Sequence, residues 1–165
     1  MPAVHSDGRQ PQISGYQCHR KSGGFPYLRY ERSISMTKVV VLGHGGYGSA
    51  MRRNIEMLSG VQEDFYYVDF NEEDDADILR GKLDAVLEQV GDNDVLFCCD
   101  VVSGTPFNVA ATICAEKSNY CCVGGLNTMA YMTITFELEG TAFEVADTAV
   151  ETAKEAIMRF PPAEM

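Results

Sequence analysis

From Lys38 onward the chain alternates short, unbroken apolar runs with longer stretches whose apolar residues recur every three or four positions. Val39-Val40-Val41-Leu42 is too short and too uniformly apolar for a surface helix, and it predicts a strand over Lys38 to Leu42 that is buried on both sides. After Gly43-His44-Gly45-Gly46, residues Met51, Ile55 and Leu58 fall at i, i+4 and i+7, a helical stripe that ends at Gly60. A second strand is predicted over Phe65 to Phe70. The acids from Glu72 to Asp77 suit the positive end of a helix whose stripe is Leu79, Leu83, Val86, Leu87 and Val90, stopped by Gly91. Val95-Leu96-Phe97-Cys98-Cys99 is the third strand, running into Asp100. The next helix has Thr105 as its expected N-cap and Pro106 at its first position, with Val109, Ala110, Ile113 and Cys114 inward. Tyr120 to Val123 forms the fourth strand, reaching Gly124-Gly125-Leu126-Asn127.

Beyond Asn127 the pattern supports two readings. Met132, Ile134, Phe136 and Leu138 alternate with polar residues like a half-buried strand, yet the same segment continues a helix from Thr128. Ala142 to Arg159 is predicted as a final helix, with a short strand as an option at its end before Pro161-Pro162. Unbroken apolar strands interleaved with helices predict an α/β fold, a mostly parallel four-stranded sheet covered by helices on both faces.

The chain changes character near residue 36. Residues 1–35 hold five Lys or Arg against Asp7 and Glu31, a net +3, whereas residues 36–165 hold eight against twenty-two acids, a net −14. The first segment is rich in Gly, Ser and Pro and carries Tyr16, Phe25, Tyr27 and Tyr30 without alternating partners, which reads as loop or disorder. Met36-Thr37-Lys38, followed at once by the first strand, looks like a natural start. The expected division is therefore a leader over 1–35, an upstream extension or a basic interaction arm, and one domain over 36–165.

At 165 residues and 45% apolar content there is material for one ordinary domain and no room for a second catalytic one. The net charge of −11 argues against nucleic acid or anionic lipid as a partner, since both need clustered Lys and Arg. No run of 18 apolar residues and no signal-like leader occurs, so neither membrane insertion nor secretion is expected, and the expected location is the cytoplasm. Of six cysteines, Cys98, Cys99, Cys121 and Cys122 are adjacent pairs inside strand-like runs, and Cys114 lies on a helix stripe. They read as small buried hydrophobes in a reducing compartment. The acidic cluster at 72–77 has no histidine beside it and reads as solvated first-turn charge, so no metal and no cofactor is expected.

The candidate chemistry lies at strand ends. His44 stands where the first strand delivers its C-terminal end to a glycine-rich loop, and Asp100 closes the third strand in the same way. Open α/β sheets act at that edge, and if the two strands are parallel neighbours the imidazole and carboxylate meet there. Gly43-His44-Gly45-Gly46-Tyr47-Gly48 also matches the dinucleotide fingerprint G-x-G-x-x-G, with Asp69 about 20 residues on, which makes a Rossmann-like oxidoreductase fragment an alternative. Against it stand the single-domain size and the bulky His44 in the phosphate turn.

Val40-Val41-Leu42-Gly43-His44-Gly45-Gly46-Tyr47, the run from Ile55 to Phe70, and Asp100 followed by Ser103-Gly104-Thr105-Pro106-Phe107-Asn108 resemble the IIA component (EIIA) of the mannose/fructose/sorbose family of the bacterial phosphotransferase system (PTS). The resemblance covers about residues 36 to 160. It implies that His44 accepts a phosphoryl group from the phosphocarrier HPr and hands it to a IIB subunit for sugar uptake. It also implies a homodimer, a sheet of strand order 2-1-3-4 and an exchanged antiparallel fifth strand. A phosphocarrier subunit of dihydroxyacetone kinase would share the fold and the histidine. The chain departs from the family in two places: Ser103-Gly104 replaces Gly-Gly before the Thr-Pro, and Asn127-Thr128-Met129-Ala130 replaces Asn-Leu-Pro-Met.

The residues supply the chemistry such a carrier needs. Imidazole titrates near neutrality and is a competent nucleophile when neutral. Asp100 can accept from Nδ1–H and leave Nε2 free to attack. The phosphoryl group adds up to about −2 of charge, and the helix opening at Thr105 offers free amides and the positive end of its dipole. Gly45, Ser103, Gly104 and Thr105 are accordingly the expected phosphoryl-binding residues, with His44 and Asp100 catalytic.

Overall fold

The computed structural model describes residues 16–19, 27–30 and 36–161. The chain divides into two units, Met1–Ile34 and Ser35–Met165. In the first, Tyr16–His19 (β1) and Tyr27–Tyr30 (β2) pair antiparallel, with Tyr16 opposite Tyr30. Neither strand is apparent from the sequence pattern, and the rest of the leader reading lies outside the described residues.

The second unit is an alternating α/β chain. Its strands are Lys38–His44 (β3), Phe65–Phe70 (β4), Val95–Cys99 (β5) and Tyr120–Gly124 (β6), all parallel in the order β4-β3-β5-β6. Numbered within this unit, that is the expected 2-1-3-4. Its helices are Tyr47–Ser59 (α1), Ala76–Val90 (α2), Thr105–Glu116 (α3), Thr128–Ile134 (α4) and Ala142–Glu155 (α5).

Strand alternation divides the core into two layers. Val39, Val41, Leu96 and Cys98 pack with Ile55 of α1, Tyr131 and Ile134 of α4, and Val145 and Ala149 of α5. Val40, Leu42, Phe97 and Cys99 pack on the other side with Leu79 and Leu83 of α2 and Ala110 and Ile113 of α3. With both faces covered, every residue of β5 is buried, which is why central parallel strands carry no polar alternation. The helix ends follow local chemistry: Asp75 caps α2 by accepting from the Ile78 amide, and Thr141 with Glu144 forms a reciprocal capping box on α5.

The order of the strands places the site. From β3 the chain steps outward to β4, then returns past β3 to β5 and on to β6. Connections leaving β3 and β5 therefore diverge to opposite sides, opening a crevice at the carboxyl ends of these two strands. β3 runs two residues further than the apolar pattern indicates: Gly43 and His44 pair with Asp69 and Phe70 of β4, making His44 the last residue of the strand.

One open reading is decided and two expectations need correction. The segment after Asn127 opens as a helix, not a strand, because the buried Ala130 and Tyr131 lie four and three residues before the buried Ile134 and because the Asn127 side chain accepts from the Ala130 amide as a cap. Phe136, inward in the strand reading, is 76% exposed. No fifth strand joins the four-stranded sheet among the described residues; an isolated antiparallel bridge joins Met36 to Glu139. Leu58 is exposed because at 3.6 residues per turn it sits about 60° around the helix from Ile55 and in the last turn before Gly60. The final helix stops at Glu155, and Ile157 and Met158 beyond it are exposed.

Candidate functional site

His44 and Asp100 come together at the crevice, delivered by neighbouring strands paired Leu42 to Cys99. Asp100 is fixed through its own amide, which donates to the Leu42 carbonyl at 3.2 Å, and its Oδ1 accepts from the Val101 amide at 2.8 Å. Its Oδ2 accepts twice from one residue: the His44 amide and the His44 Nδ1 both lie 2.8 Å away. A carboxylate only accepts, so this contact favours the tautomer of the neutral ring with the proton on Nδ1 and the lone pair on Nε2. The His44 side chain is 46% exposed and that of Asp100 13%, so the acid is sheltered while the imidazole presents its far nitrogen to solvent.

Two further contacts flank the ring, one from Phe70, which the sequence reading does not single out, and one from Gly104, which it does. Phe70 meets the imidazole edge to face, with centroids 5.5 Å apart, and its carbonyl accepts from the Gly45 amide at 2.7 Å. Gly45 turns the chain at φ +57°. Gly104 lies against the other side: a Cβ there would stand 2.8 Å from His44 Cε1 and 3.5 Å from Nε2. Beneath the site the Tyr47 hydroxyl lies 3.0 Å from that of Tyr131, and burial, with the Asp100 charge adding to it, pushes the Tyr47 hydroxyl pKa up. The only sequence signal for Phe70 is its place at the end of the strand that pairs with His44.

The helix expected to face the phosphoryl group starts with one shift in register. Gly104, not Thr105, is the N-cap of α3; Thr105 is its first residue, Pro106 its second, and no side chain caps the end. Glycine occupies the cap because the imidazole leaves no room for a side chain. The Thr105 and Phe107 amides donate to no acceptor among the described residues, and Pro106 has no N–H to offer. They open beside His44 with the dipole's positive end behind them. Ser103 stands at φ +65°, left-handed and non-glycine, where the family pattern has glycine. Its carbonyl accepts from the Asn108 side chain at 3.2 Å.

The fingerprint glycines and Asp69 are used otherwise than a dinucleotide requires. A Cβ on Gly48 would stand 2.7 Å from the Val68 carbonyl oxygen, so that glycine lets α1 press on β4. Asp69 accepts from the Ser49 amide at 2.9 Å and the Ser49 hydroxyl at 2.5 Å, so the N-terminus of α1 already faces this chain's own carboxylate. No group of three or more metal-ligating side chains gathers among the described residues.

The family of the PTS system fructose IIA component matches residues 38–158. Among curated relatives, the mannose-specific EIIAB component of the PTS from Escherichia coli is 33% identical over 126 residues, 74% of this chain and 39% of that protein. The fructose-specific EIIA component from Bacillus subtilis is 29% identical over 93 residues, 56% of this chain and 64% of that protein. The chain thus spans about two fifths of the length of the first of these relatives. Among solved structures, the mannose/sorbose-specific IIA subunit from Enterococcus faecalis superposes with a TM-score of 0.72 at 23% identity, covering 79% of this chain and 98% of that one.

Proposed function

The chain belongs to the family of the PTS system fructose IIA component, and from that premise we propose that it is a phosphoryl carrier of a sugar phosphotransferase system, with His44 as the residue that holds the group. Phospho-HPr is the donor and a IIB subunit the acceptor. The observation that carries this reading is the shared Asp100 Oδ2, which holds Nδ1 protonated at 2.8 Å and so leaves Nε2 as the nucleophile beside the open end of α3.

In the transfer, Nε2 attacks phosphorus in line while the donor's bond to phosphorus breaks, and no proton has to be removed from the ring. The proton on Nδ1 stays with His44, and the Asp100 carboxylate offsets the positive charge the ring acquires. The new phosphoryl oxygens meet the Thr105 and Phe107 amides and the Thr105 hydroxyl, with Gly45 and Gly104 admitting them close to the backbone. Ser103, in the turn between Asp100 and α3, completes this binding edge. Alignment and electrostatics suffice for such a step, so an exposed rim that two partners visit in turn needs no deep pocket. The dinucleotide alternative is disfavoured by the engagement of Asp69 with α1, and the relatives named above are sugar-system components rather than kinase subunits.

The same reading assigns the chain to the cytoplasm as a homodimer, and no helix among the described residues is long and apolar enough to cross a membrane. The test is incubation with phosphoenolpyruvate, enzyme I and HPr, followed by intact mass. One acid-labile phosphate is expected, absent from His44→Ala with its fold intact. A labile phosphate on His44→Ala would overturn the assignment.

A further inference from the structure

Gly43, the residue before His44, is buried, and the place of its missing side chain is taken by two others. A Cβ there would stand 2.6 Å from Asp100 Cγ, 2.8 Å from Asp100 Cβ and 2.7 Å from Tyr47 Cδ1. The Asp100 carboxylate and the edge of the Tyr47 ring therefore share one space over the end of β3.

Tyr47, the first residue of α1, is anchored on its far side. It packs against the cluster that holds Val41, Ile55, Tyr131 and Ile134, and its hydroxyl lies 3.0 Å from that of Tyr131, which is fully buried. Burial above all, with the Asp100 charge among the lesser causes, pushes the Tyr47 hydroxyl pKa up, so the group stays protonated and sets no second anion beside the carboxylate. The hydrogen bonds of Asp100 leave its carboxylate one freedom. Oδ1 accepts from the Val101 amide and Oδ2 from the His44 amide and Nδ1, each at 2.8 Å, but the terminal torsion of an aspartate is broad. A tilt over Gly43 would draw Oδ2 off Nδ1, and the Tyr47 ring fills the space that such a tilt needs.

We propose that Tyr47 is a positioning residue: its ring, anchored on Tyr131, braces the Asp100 carboxylate and through it fixes the tautomer and aim of His44. The consequence for phosphoryl transfer rests on the carrier reading above, whereas the brace itself does not. Tyr47 acts through Asp100 and not on the phosphoryl group.

The full chain, labelled with ¹⁵N in its histidine rings, is measured at about pH 8.5, where an ordinary imidazole is neutral. The His44 signals are those missing from His44→Ala. In the unsubstituted chain the Nδ1 and Nε2 shifts should be widely separated, as a single Nδ1–H tautomer requires. Tyr47→Ala should draw the two shifts together and slow phosphorylation by phospho-HPr by roughly 3- to 30-fold, with the fold retained. In an Asp100→Asn background the same substitution should add less than about twofold, because the brace then has no carboxylate to hold. Tyr47→Phe combined with Tyr131→Phe keeps both rings and leaves neither hydroxyl unpaired, so it should recover most of both readouts. If Tyr47→Ala does not fold, Tyr47→Leu takes its place with the same expected outcomes. An unchanged separation of the nitrogen shifts in the folded variant, a full further loss in the Asp100→Asn background, or a double phenylalanine variant as impaired as Tyr47→Ala would overturn the proposal. The shifts are read without a phosphoryl donor. A chain whose shifts moved as expected but which accepted no phosphate would refute the carrier reading and leave the brace standing.

Discussion

Replacing Gly104 with alanine separates the chemistry of His44 from the stability of the fold. At φ −73° and ψ 169° the backbone of Gly104 suits any L-residue, so the substitution strains nothing locally. Loss of glycine from the cap of α3 should cost no more than about 1 kcal/mol. The new methyl would stand 2.8 Å from His44 Cε1. Ordinary carbon contacts begin near 3.5 Å, so the ring must withdraw by about 0.7 Å. Withdrawal stretches the 2.8 Å bond from Nδ1 to Asp100 and crowds the side of Nε2 that receives phosphorus. Misplacement of a reacting atom by about 1 Å costs on the order of 10² in rate, so a fall of roughly 10 to 10² is expected. Rapid-quench phosphorylation by phospho-HPr measures the rate, and thermal unfolding of the same sample checks the fold. A rate within about twofold of the unsubstituted chain, with melting unchanged, would refute the reasoning. Combined with Asp100→Asn, the loss should be less than the product of the two single effects, because both act on one imidazole.

Asp100→Asn should itself slow phosphorylation by roughly 10 to 10³ with the fold retained, since an amide can present either N–H or C=O to Nδ1 and no longer enforces one tautomer; an unchanged rate in the same assay would reduce Asp100 to a strand-end residue. Ser103→Gly should relieve the left-handed backbone and, after the extra chain entropy of glycine, stabilise by about 0.5–1 kcal/mol, read as a melting rise of roughly 2–4 °C; a fall would show that the Ser103 side chain contributes more than the strain costs. The Tyr67 hydroxyl is buried without a hydrogen-bond partner among the described residues, and burial raises it to about 12. Its contribution is therefore intact below pH 10 and declines as pH rises towards 12. Tyr67→Phe should be neutral or stabilising at pH 7 and lose less melting temperature than the unsubstituted chain across that alkaline range; an equal loss would remove Tyr67 as the cause.

The parallel sheet is legible because its central strands must be apolar on both sides, and Val39 to Leu42 and Val95 to Cys99 have no other plausible use. His44 and Asp100 are legible for a related reason: a polar residue that ends such a run has only the sheet's edge to occupy. What depends on a distant partner is not visible in this way. Spacing alone sends Asp69 to a ribose, whereas its partner is Ser49, reached only when α1 folds back on β4. Thr105 has the better capping chemistry, yet Gly104 takes the cap because the His44 ring excludes any Cβ there. Phe70 shows no signal of its own, since its ring acts through a neighbour fixed by strand register. Between Thr128 and Leu138 both periods are present, and the Asn127 side chain at Ala130 decides for the helix.

The double acceptance by Asp100 Oδ2 has a kinetic corollary. One oxygen holds both the main-chain amide and the ring of His44, closing a small loop between two strands of the same sheet. The nitrogen proposed to carry the phosphoryl group is therefore indexed to the rigid centre of the domain rather than to a mobile flap, and on that proposal loading or unloading requires no internal rearrangement. For a shuttle built this way, throughput is governed by how quickly one protein vacates the rim and the next arrives. Turnover should then respond to viscosity and to the concentrations of donor and acceptor, as an exchange of visitors at a fixed mooring does.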